Sequence, residues 1–394
     1  MVGFAGKSAV AGCALFVGPL GMGLLGAPVP SAAVAEQCAN PSGTYTAAVP
    51  WGQRLIDPAR IWPLSRGTGQ LVAVVGTGVD GSNGQFASGQ LVGGQGTESD
   101  DCDGRGTIAA GIVGAQPDPS TTFVGIAPGA KILPIRYTQA NGGGDPGQLA
   151  SAIETALNRG AGIILIAVPA ASDSPALGGA VSRAREKGAL IVSPAAGSQQ
   201  GQTSYPTATP GVLAVGSTNQ AGEAVQTESG AYVGVSAPGA ELVSTSAGAG
   251  GTVAHRWPVS DPSLAAAHVA GVAALVRAYH PELSPEQVVA RLTLTAHRGP
   301  SGAHDPRRGW GAIDAYAAVS AAIPAGTPGP GGPPSVGPDT YVVPAAAPAR
   351  AGADKVSGVL AIAGVATAIA AGVVVAAVRR GKRRGWRPSR FRAS

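Results

Sequence analysis

The sequence predicts an α/β domain built on a central parallel sheet. Short apolar runs, typical of strands buried on both faces, alternate with longer stretches that have helical periodicity. The strand-like runs lie at 71–75, 163–168, 190–192 and 212–215. The predicted helices span 107–113, 147–159, 176–187 and 264–279. A further helix is expected after Ser284, which forms a capping box with Gln287 and is followed by Pro285 at the first helical position.

The composition is that of a turn-rich globular protein. Of 394 residues, 44% are hydrophobic and only 12% are charged, which is too apolar for a disordered chain. The net charge of +5 is misleading, because eight of the 27 Lys and Arg residues lie in 379–394. The remaining 19 basic and 22 acidic residues give a net charge of −3, so we expect no basic face and no nucleic-acid partner.

The N-terminus has the pattern of a secretory signal peptide over residues 1–35. Lys7 is followed by an apolar run from Val10 to Leu25, and Ala33–Ala35 offers an A-x-A cleavage site. A first membrane helix is a weaker alternative, because Pro19 and several glycines interrupt the run. A lipidated Cys13 is a further alternative, although little apolar sequence precedes it.

The C-terminal part predicts a membrane anchor. Residues 356–378 contain no charge and are long enough to cross a bilayer as one helix. The basic tail 379–394 follows at once and predicts a cytoplasmic C-terminus, with everything before residue 356 outside the cell membrane. A buried core helix would not explain this basic block. Residues 322–355 hold eight Pro and six Gly, which indicates a linker.

The remaining chain divides into an N-terminal extension, 36–70, and one large domain, 71–321. Once the signal peptide is removed, Cys38 and Cys102 are the two cysteines left. Disulfide bonds form readily outside the cytoplasm, so we expect a Cys38–Cys102 bond that ties the extension to the domain.

Several short strings resemble, in order, those of the mycosins, membrane-anchored subtilisin-like serine proteases of type VII secretion. The strings are Pro50–Arg54, Trp62–Leu64, Leu71–Val79, Asp101–Thr107, Ala237–Gly239, Ser263–Ala266 and Gly309–Gly311. The resemblance covers nearly the whole chain. It implies a subtilisin-like three-layer sandwich, and as partners the type VII secretion membrane complex or its substrates.

In such proteases a Ser attacks the peptide carbonyl, a His removes its proton and an Asp orients the His, while an Asn helps to stabilise the oxyanion. By resemblance, Ser263 is the only residue here that matches this set. Gly76 stands at the Asp position, Arg105 at the His position and Ser198 at the Asn position. The substrate-lining string also differs, since Leu165–Pro169 replaces it.

These substitutions remove the chemistry of the triad. Glycine has no side chain to orient an imidazole, and arginine stays protonated and cannot act as a base. We therefore expect a catalytically inactive pseudoprotease that acts by binding. One alternative is an active endopeptidase that uses Ser263 with a non-standard base, for which His255 is the candidate. His268 is expected to be a packing residue, and Ser263 has the simpler interpretation of a helix N-cap.

A third alternative is a structural envelope protein unrelated to secretion. No cofactor or metal site is expected: the cysteines are too few, and the histidines too scattered, for zinc. Asp100, Asp101 and Asp103 could bind Ca²⁺, but a solvated acidic turn is the preferred interpretation. The run Gly142–Gly144 lacks the lysine and the spacing of a phosphate-binding loop.

Overall fold

The computed structural model describes residues 38–93, 100–139, 144–196, 202–324 and 326–330, together with Arg380. The chain divides into two compact units, residues 1–333 and 334–394, and Arg380 is the one described residue of the second unit. The predicted signal peptide 1–35 and membrane span 356–378 lie outside the described residues, as does the basic tail apart from Arg380. Within the described ranges, no helix is both long and apolar enough to cross a membrane.

A six-stranded parallel sheet forms the centre of the first unit. Its strands are β1 (Leu71–Gly76), β2 (Lys131–Arg136), β3 (Ile163–Ile166), β4 (Leu190–Pro194), β5 (Val212–Thr218) and β6 (Val233–Pro238). Their order across the sheet is β2-β1-β3-β4-β5-β6, and every neighbouring pair is parallel. Strands β3 and β4 are buried along their whole length and β1 is buried apart from Leu71, which confirms the predicted parallel sheet.

Helices cover both faces of this sheet. They are α1 (Trp51–Ile56), α2 (Pro58–Ile61), α3 (Arg105–Gly114), α4 (Pro146–Asn158), α5 (Pro175–Glu186), α6 (Pro262–Tyr279), α7 (Pro285–Thr295) and α8 (Ala315–Ser320). Alternate residues of a strand face opposite sides. Accordingly, Val72 and Val74 pack in the apolar cluster that contains α3 and α6, whereas Ala73 and Val75 pack in the cluster that contains α4 and α5. The three-layer arrangement follows from this alternation.

The N-terminal extension is part of the folded body. A disulfide bond joins Cys38 to Cys102, as the sequence predicted. The amide of Ala39 donates to the Cys102 carbonyl at 2.7 Å, and the amide of Ser42 donates to the His255 carbonyl at 2.8 Å. His255 begins β8 (His255–Val259), which pairs with β7 (Leu242–Thr245) in an antiparallel ribbon. The extension therefore holds the loop before α3 against this ribbon.

Close approach of α3 to the end of β1 depends on Gly106. A Cβ atom at Gly106 would overlap the carbonyl oxygen of Gly78, whereas one at Gly178 in α5 would meet no atom within 4 Å. We expect Gly106→Ala to lower the free energy of unfolding by roughly 1–3 kcal/mol, because overpacking forces the backbone to shift. The control Gly178→Ala should raise it by about 1 kcal/mol through helix propensity. Urea unfolding of both variants checks this, and equal effects would contradict it.

Candidate active site

The position expected for the triad Asp is the last residue of β1 and carries no side chain. The carbonyl of Gly76 accepts a hydrogen bond from the amide of Tyr137 at 3.0 Å. A Cβ atom built on Gly76 would lie 3.0 Å from the Cβ atom of Ala167. The neighbouring Thr77 contacts the opposite element, since its Oγ1 accepts from the amide of Gly106 at 3.1 Å. The end of β1 therefore contacts the start of α3 through Thr77, and position 76 contributes no side chain to this contact.

The acidic turn before α3 is built around a buried carboxylate. Asp101 is 4% exposed, and its Oδ1 accepts from the amide of Gly104 at 2.9 Å. Its Oδ2 accepts from the amide and the hydroxyl of Thr107 at 2.7 and 2.6 Å. Burial raises the pKa of Asp101, and these hydrogen bonds oppose that rise. Asp101 thus fixes the first turn of α3.

The solvated acidic turn that the sequence predicts is wrong for Asp101 and Asp103. Hydrogen bonds to Gly104 and Thr107 hold the Asp101 carboxylate in the interior, and the Asp103 side chain is only 7% exposed. Asp100 lies at the surface and forms an ion pair with Arg136 at 3.2 Å. Asp103 faces Arg105. Across the described residues no group of three or more His, Cys, Asp or Glu side chains has the geometry of a metal site.

Arg105, the first residue of α3, occupies the position expected for the triad His. Its Nε lies 3.3 Å from Oδ2 of Asp261 and 3.5 Å from Oδ1 of Asp103. The side chain is 23% exposed, so the guanidinium lies partly out of solvent between the two carboxylates. This arrangement satisfies the positive charge of Arg105, and the guanidinium itself stays protonated and cannot accept a proton from a hydroxyl.

Asp261 links this ion pair to Ser263. It is the N-cap of α6, and its Oδ1 accepts from the amide of Ser263 at 2.8 Å. The proposed N-cap role of Ser263 is therefore wrong, because the carboxylate two residues earlier caps the helix and Ser263 is its second residue. Asp261 is the site residue that sequence reasoning missed. The signal was present as an acidic residue beside the one matching triad position.

Ser263 itself is buried, and no described residue hydrogen-bonds to its hydroxyl. The residue is 1% exposed, and its Oγ has no hydrogen-bonding partner within the described ranges. A serine nucleophile needs a base within hydrogen-bonding distance and access to a peptide carbonyl. Among the described residues, no base hydrogen-bonds to Ser263, and its side chain is not accessible to a peptide.

His255, the candidate alternative base, is committed elsewhere. Its Nδ1 accepts from the amide of Tyr45 at 3.0 Å, and its Nε2 lies 2.6 Å from Oε1 of Gln85, to which it donates. The ring is fully buried in β8. A Ser263–His255 dyad is therefore absent, because both ring nitrogens are occupied by the extension and by Gln85.

The other histidines are also engaged away from Ser263. His268 is buried, with Nδ1 2.7 Å from the Leu264 carbonyl one turn earlier in α6, as expected for a packing residue. Three more histidines have partners elsewhere. His280 contacts the Val319 carbonyl, His297 contacts the Asp314 carboxylate, and His304 contacts the Val233 carbonyl. No imidazole among the described residues therefore hydrogen-bonds to Ser263.

Acid should destabilise the protein partly through His255. Burial lowers its pKa from the ordinary 6.5 to about 4, so below pH 6.5 the unfolded chain binds the proton more readily. The neutral, buried His255 contributes to the free energy of unfolding in full above pH 6.5. As the pH falls towards 4, this contribution is lost, and the free energy of unfolding falls by about 3 kcal/mol. Urea unfolding at pH 7 and at pH 4.5 should show a smaller acid-induced loss for His255→Gln than for the unchanged protein. Equal losses would contradict it.

The segment expected to carry the oxyanion donor, including Ser198, lies outside the described residues. Glu228, whose burial the sequence did not predict, holds both flanks of this segment. The amide of Glu228 donates to the Ala195 carbonyl at 2.8 Å. Its carboxylate accepts from the amide and the hydroxyl of Ser204 at 2.8 and 2.5 Å. Glu228 therefore connects both sides of this segment.

The edge formed by the string around Pro169 is internally paired. Ala170 and Tyr205 exchange two backbone hydrogen bonds, of 2.7 and 2.9 Å, and the amide of Gly144 donates to the Pro169 carbonyl at 3.2 Å. The hydroxyl of Tyr137 donates to the Val168 carbonyl. These contacts use backbone groups that an extended peptide would otherwise need for strand pairing.

Sequence comparisons place this arrangement in a known family. Residues 67–311 match Peptidase_S8, the subtilase family. Mycosin-4 of Mycobacterium tuberculosis is 39% identical over 323 residues, which cover 70% of each chain. Mycosin-1 of Mycolicibacterium smegmatis is 33% identical over 349 residues, which cover 73% of this chain and 77% of that protein.

Solved structures give the same result. MycP1 from the ESX-1 type VII secretion system superposes with a TM-score of 0.65 at 30% identity, covering 73% of this chain and 90% of that one. A chain of the intact ESX-5 inner membrane complex superposes with a TM-score of 0.63 at 28% identity, covering 87% of this chain and 94% of that one. The fold, the motif order and these relatives agree, and the chain belongs to the subtilase family and, within it, to the mycosins.

Proposed function

We propose that this protein is a membrane-anchored mycosin pseudoprotease that acts in type VII secretion by binding and does not cut peptides. The observation that carries the proposal is the ion pair of Arg105 with Asp261. It occupies the place where a subtilase needs an imidazole, and Asp261 at the same time caps the helix that bears Ser263. The Arg105–Asp261 ion pair, which stabilises the fold, therefore stands where an active subtilase has its general base.

The described part of the scaffold around this site is well formed, which favours a retained binding function. The parallel sheet, the buried helix α6 and the capping box of α7 are all formed. A sequence whose local and global signals agree is under constraint to fold. Loss of the triad in a well-formed fold therefore favours a role that needs the shape of the protease and not its activity.

Association with the secretion apparatus is inferred from the relatives. The structural neighbours include MycP1 of the ESX-1 system and chains of the ESX-5 inner membrane complex and its periplasmic assembly. We infer that this chain binds the corresponding type VII membrane complex or its substrates. The apolar stretch 356–378 and the basic tail after it support a single membrane span with the body outside the cytoplasm.

The decisive experiment separates Ser263 from the rest of the protein. In the organism that produces the protein, one strain carries the gene with the Ser263→Ala substitution and a second strain lacks the gene. Secretion of type VII substrates is measured in both strains, and co-purification with the membrane complex is measured for the Ser263→Ala protein. Because the Ser263 hydroxyl has no partner among the described residues, its removal breaks no hydrogen bond there and should leave the fold intact. We expect Ser263→Ala to behave as the unchanged protein and the deletion to abolish secretion.

The anchor is tested in parallel by a variant truncated before residue 356. We expect it to leave the membrane fraction and to be recovered in the soluble extracytoplasmic fraction. Loss of secretion in Ser263→Ala at an unchanged protein level would instead support the alternative, an endopeptidase that uses Ser263 with a non-standard base. Full secretion in the deletion strain would contradict the assignment to type VII secretion.

A further inference from the structure

A cavity lies away from the Ser263 site. It has a volume of about 690 Å³, opens to solvent and is lined by α1, the turn after β5 and the segment 297–312. None of Gly76, Arg105 and Ser263 lines it. We call it the basic cavity, because three arginines, Arg54, Arg298 and Arg308, are on its wall.

The charges of the basic cavity are unbalanced. Arg308 is paired with Asp305 at 3.4 Å, and Asp305 is the one carboxylate among the residues that line the cavity. Within the described part of the chain, neither Arg54 nor Arg298 forms an ion pair. Both side chains are exposed, so two guanidinium groups face solvent at this cavity without an acidic partner.

Protein contacts hold these two guanidinium groups but leave donors free. The guanidinium of Arg298 lies 4.9 Å from the ring centre of Trp310, and its Nη1 donates to the Gly302 carbonyl at 3.2 Å. Arg54 donates through Nη1 to the Val49 carbonyl. Each guanidinium has five N–H donors, so most of them are available to a bound carboxylate, which arginine can bind in a two-point geometry.

The cavity also has an apolar side. Trp51 lines it, as does Leu55, which is 50% exposed and belongs to α1. An exposed leucine and an aromatic residue on the wall of one cavity offer apolar surface that a partner side chain can cover. A ligand that matches the whole cavity therefore carries both negative charges and an apolar group.

We propose that the basic cavity binds an acidic peptide segment of a partner protein, with carboxylates on Arg54 and Arg298 and an apolar side chain against Trp51 and Leu55. Charge complementarity selects this occupant. The basic tail 379–394 of the chain itself carries no acidic residue and would be repelled. A small inorganic anion would use the arginines but leave the apolar side uncovered. This inference goes beyond the proposed function and does not depend on whether Ser263 is active.

The test uses the full-length protein in detergent micelles and a fluorescein-labelled peptide of alternating Glu and Leu, followed by fluorescence anisotropy. We expect saturable binding that weakens as salt screens the charges. Arg298→Glu and Arg54→Glu should each weaken binding by about tenfold or more, because each loses charge-assisted hydrogen bonds. Arg256→Glu is the matched control, since Arg256 is exposed on β8 and does not line the cavity; it should change affinity little.

Two further arms separate the sources of negative charge. A peptide with Lys in place of Glu should not bind, and inorganic phosphate should compete only weakly. Phosphate that binds as tightly as the peptide, with the same sensitivity to Arg298→Glu, would identify a small-anion site and overturn the proposal. Peptide affinity unchanged in both arginine variants would also overturn it, provided that circular dichroism shows both variants folded.

Discussion

Purified full-length protein is expected to hydrolyse fluorogenic peptides about 10⁶-fold more slowly than a subtilase with a complete triad. Removing either the serine or the histidine from subtilisin lowers kcat by about this factor, and here the residues at both the histidine and aspartate positions lack the chemistry. Arg105 cannot accept the Ser263 proton, and its guanidinium is held by Asp261 and Asp103. The measurement is turnover of a mixed peptide library beside an active subtilase.

The control is Ser263→Ala, which should show the same residual rate as the unchanged protein. Any activity that persists equally in both then belongs to a contaminant or to uncatalysed hydrolysis. A rate that falls by orders of magnitude in Ser263→Ala would mean that Ser263 acquires a base in solution, and the ion pair of Arg105 would then have to open during turnover.

Loss of the disulfide bond should have the largest effect on stability. Cys38 and Cys102 are separated by 64 positions, and the chain-entropy relation gives about 4 kcal/mol for a loop of this size. The bond also fixes the loop between Asp101 and Gly104, which positions the start of α3. We therefore expect Cys102→Ser to lower the free energy of unfolding by about 4 kcal/mol, measured by urea unfolding.

The matched variants are Cys38→Ser and the double replacement. Both should lose as much stability as Cys102→Ser, because each removes the same bond, and a reducing agent should bring the unchanged protein to the same value. If the loss of stability in the double variant equals the sum of the two single losses, the two side chains act separately. That result would contradict the account in which both cysteines stabilise the protein through one shared disulfide bond.

The sheet was largely predictable because its central strands are apolar on both faces. The runs at 71–75 and 163–168 correspond to β1 and β3, although β3 ends at Ile166. The strands β2 and β6 were missed. β2 contains Pro134 between charged ends, and β6 contains Gly234 and Ser236, so neither has a continuous apolar run. Pairing with neighbouring strands overrides these weak local signals.

Site residues could be predicted from the sequence only where a single residue departs from a recognisable family motif. Gly76 and Arg105 were identified because each interrupts a recognisable string. The partner of Arg105 was not, because Asp261 lies far along the chain and only the fold brings the start of α6 to the start of α3. Burial of Asp101 and Glu228 was likewise hidden, since a carboxylate in the sequence is expected at the surface unless its partners are known.

The measurement closest to the central claim is the reaction of Ser263 with a fluorophosphonate, followed by intact mass. The probe modifies serines that a neighbouring base has activated. Because Arg105 occupies the imidazole position and His255 is bound to Tyr45 and Gln85, we predict no added mass on the folded protein. Stoichiometric addition that disappears in Ser263→Ala would contradict this account.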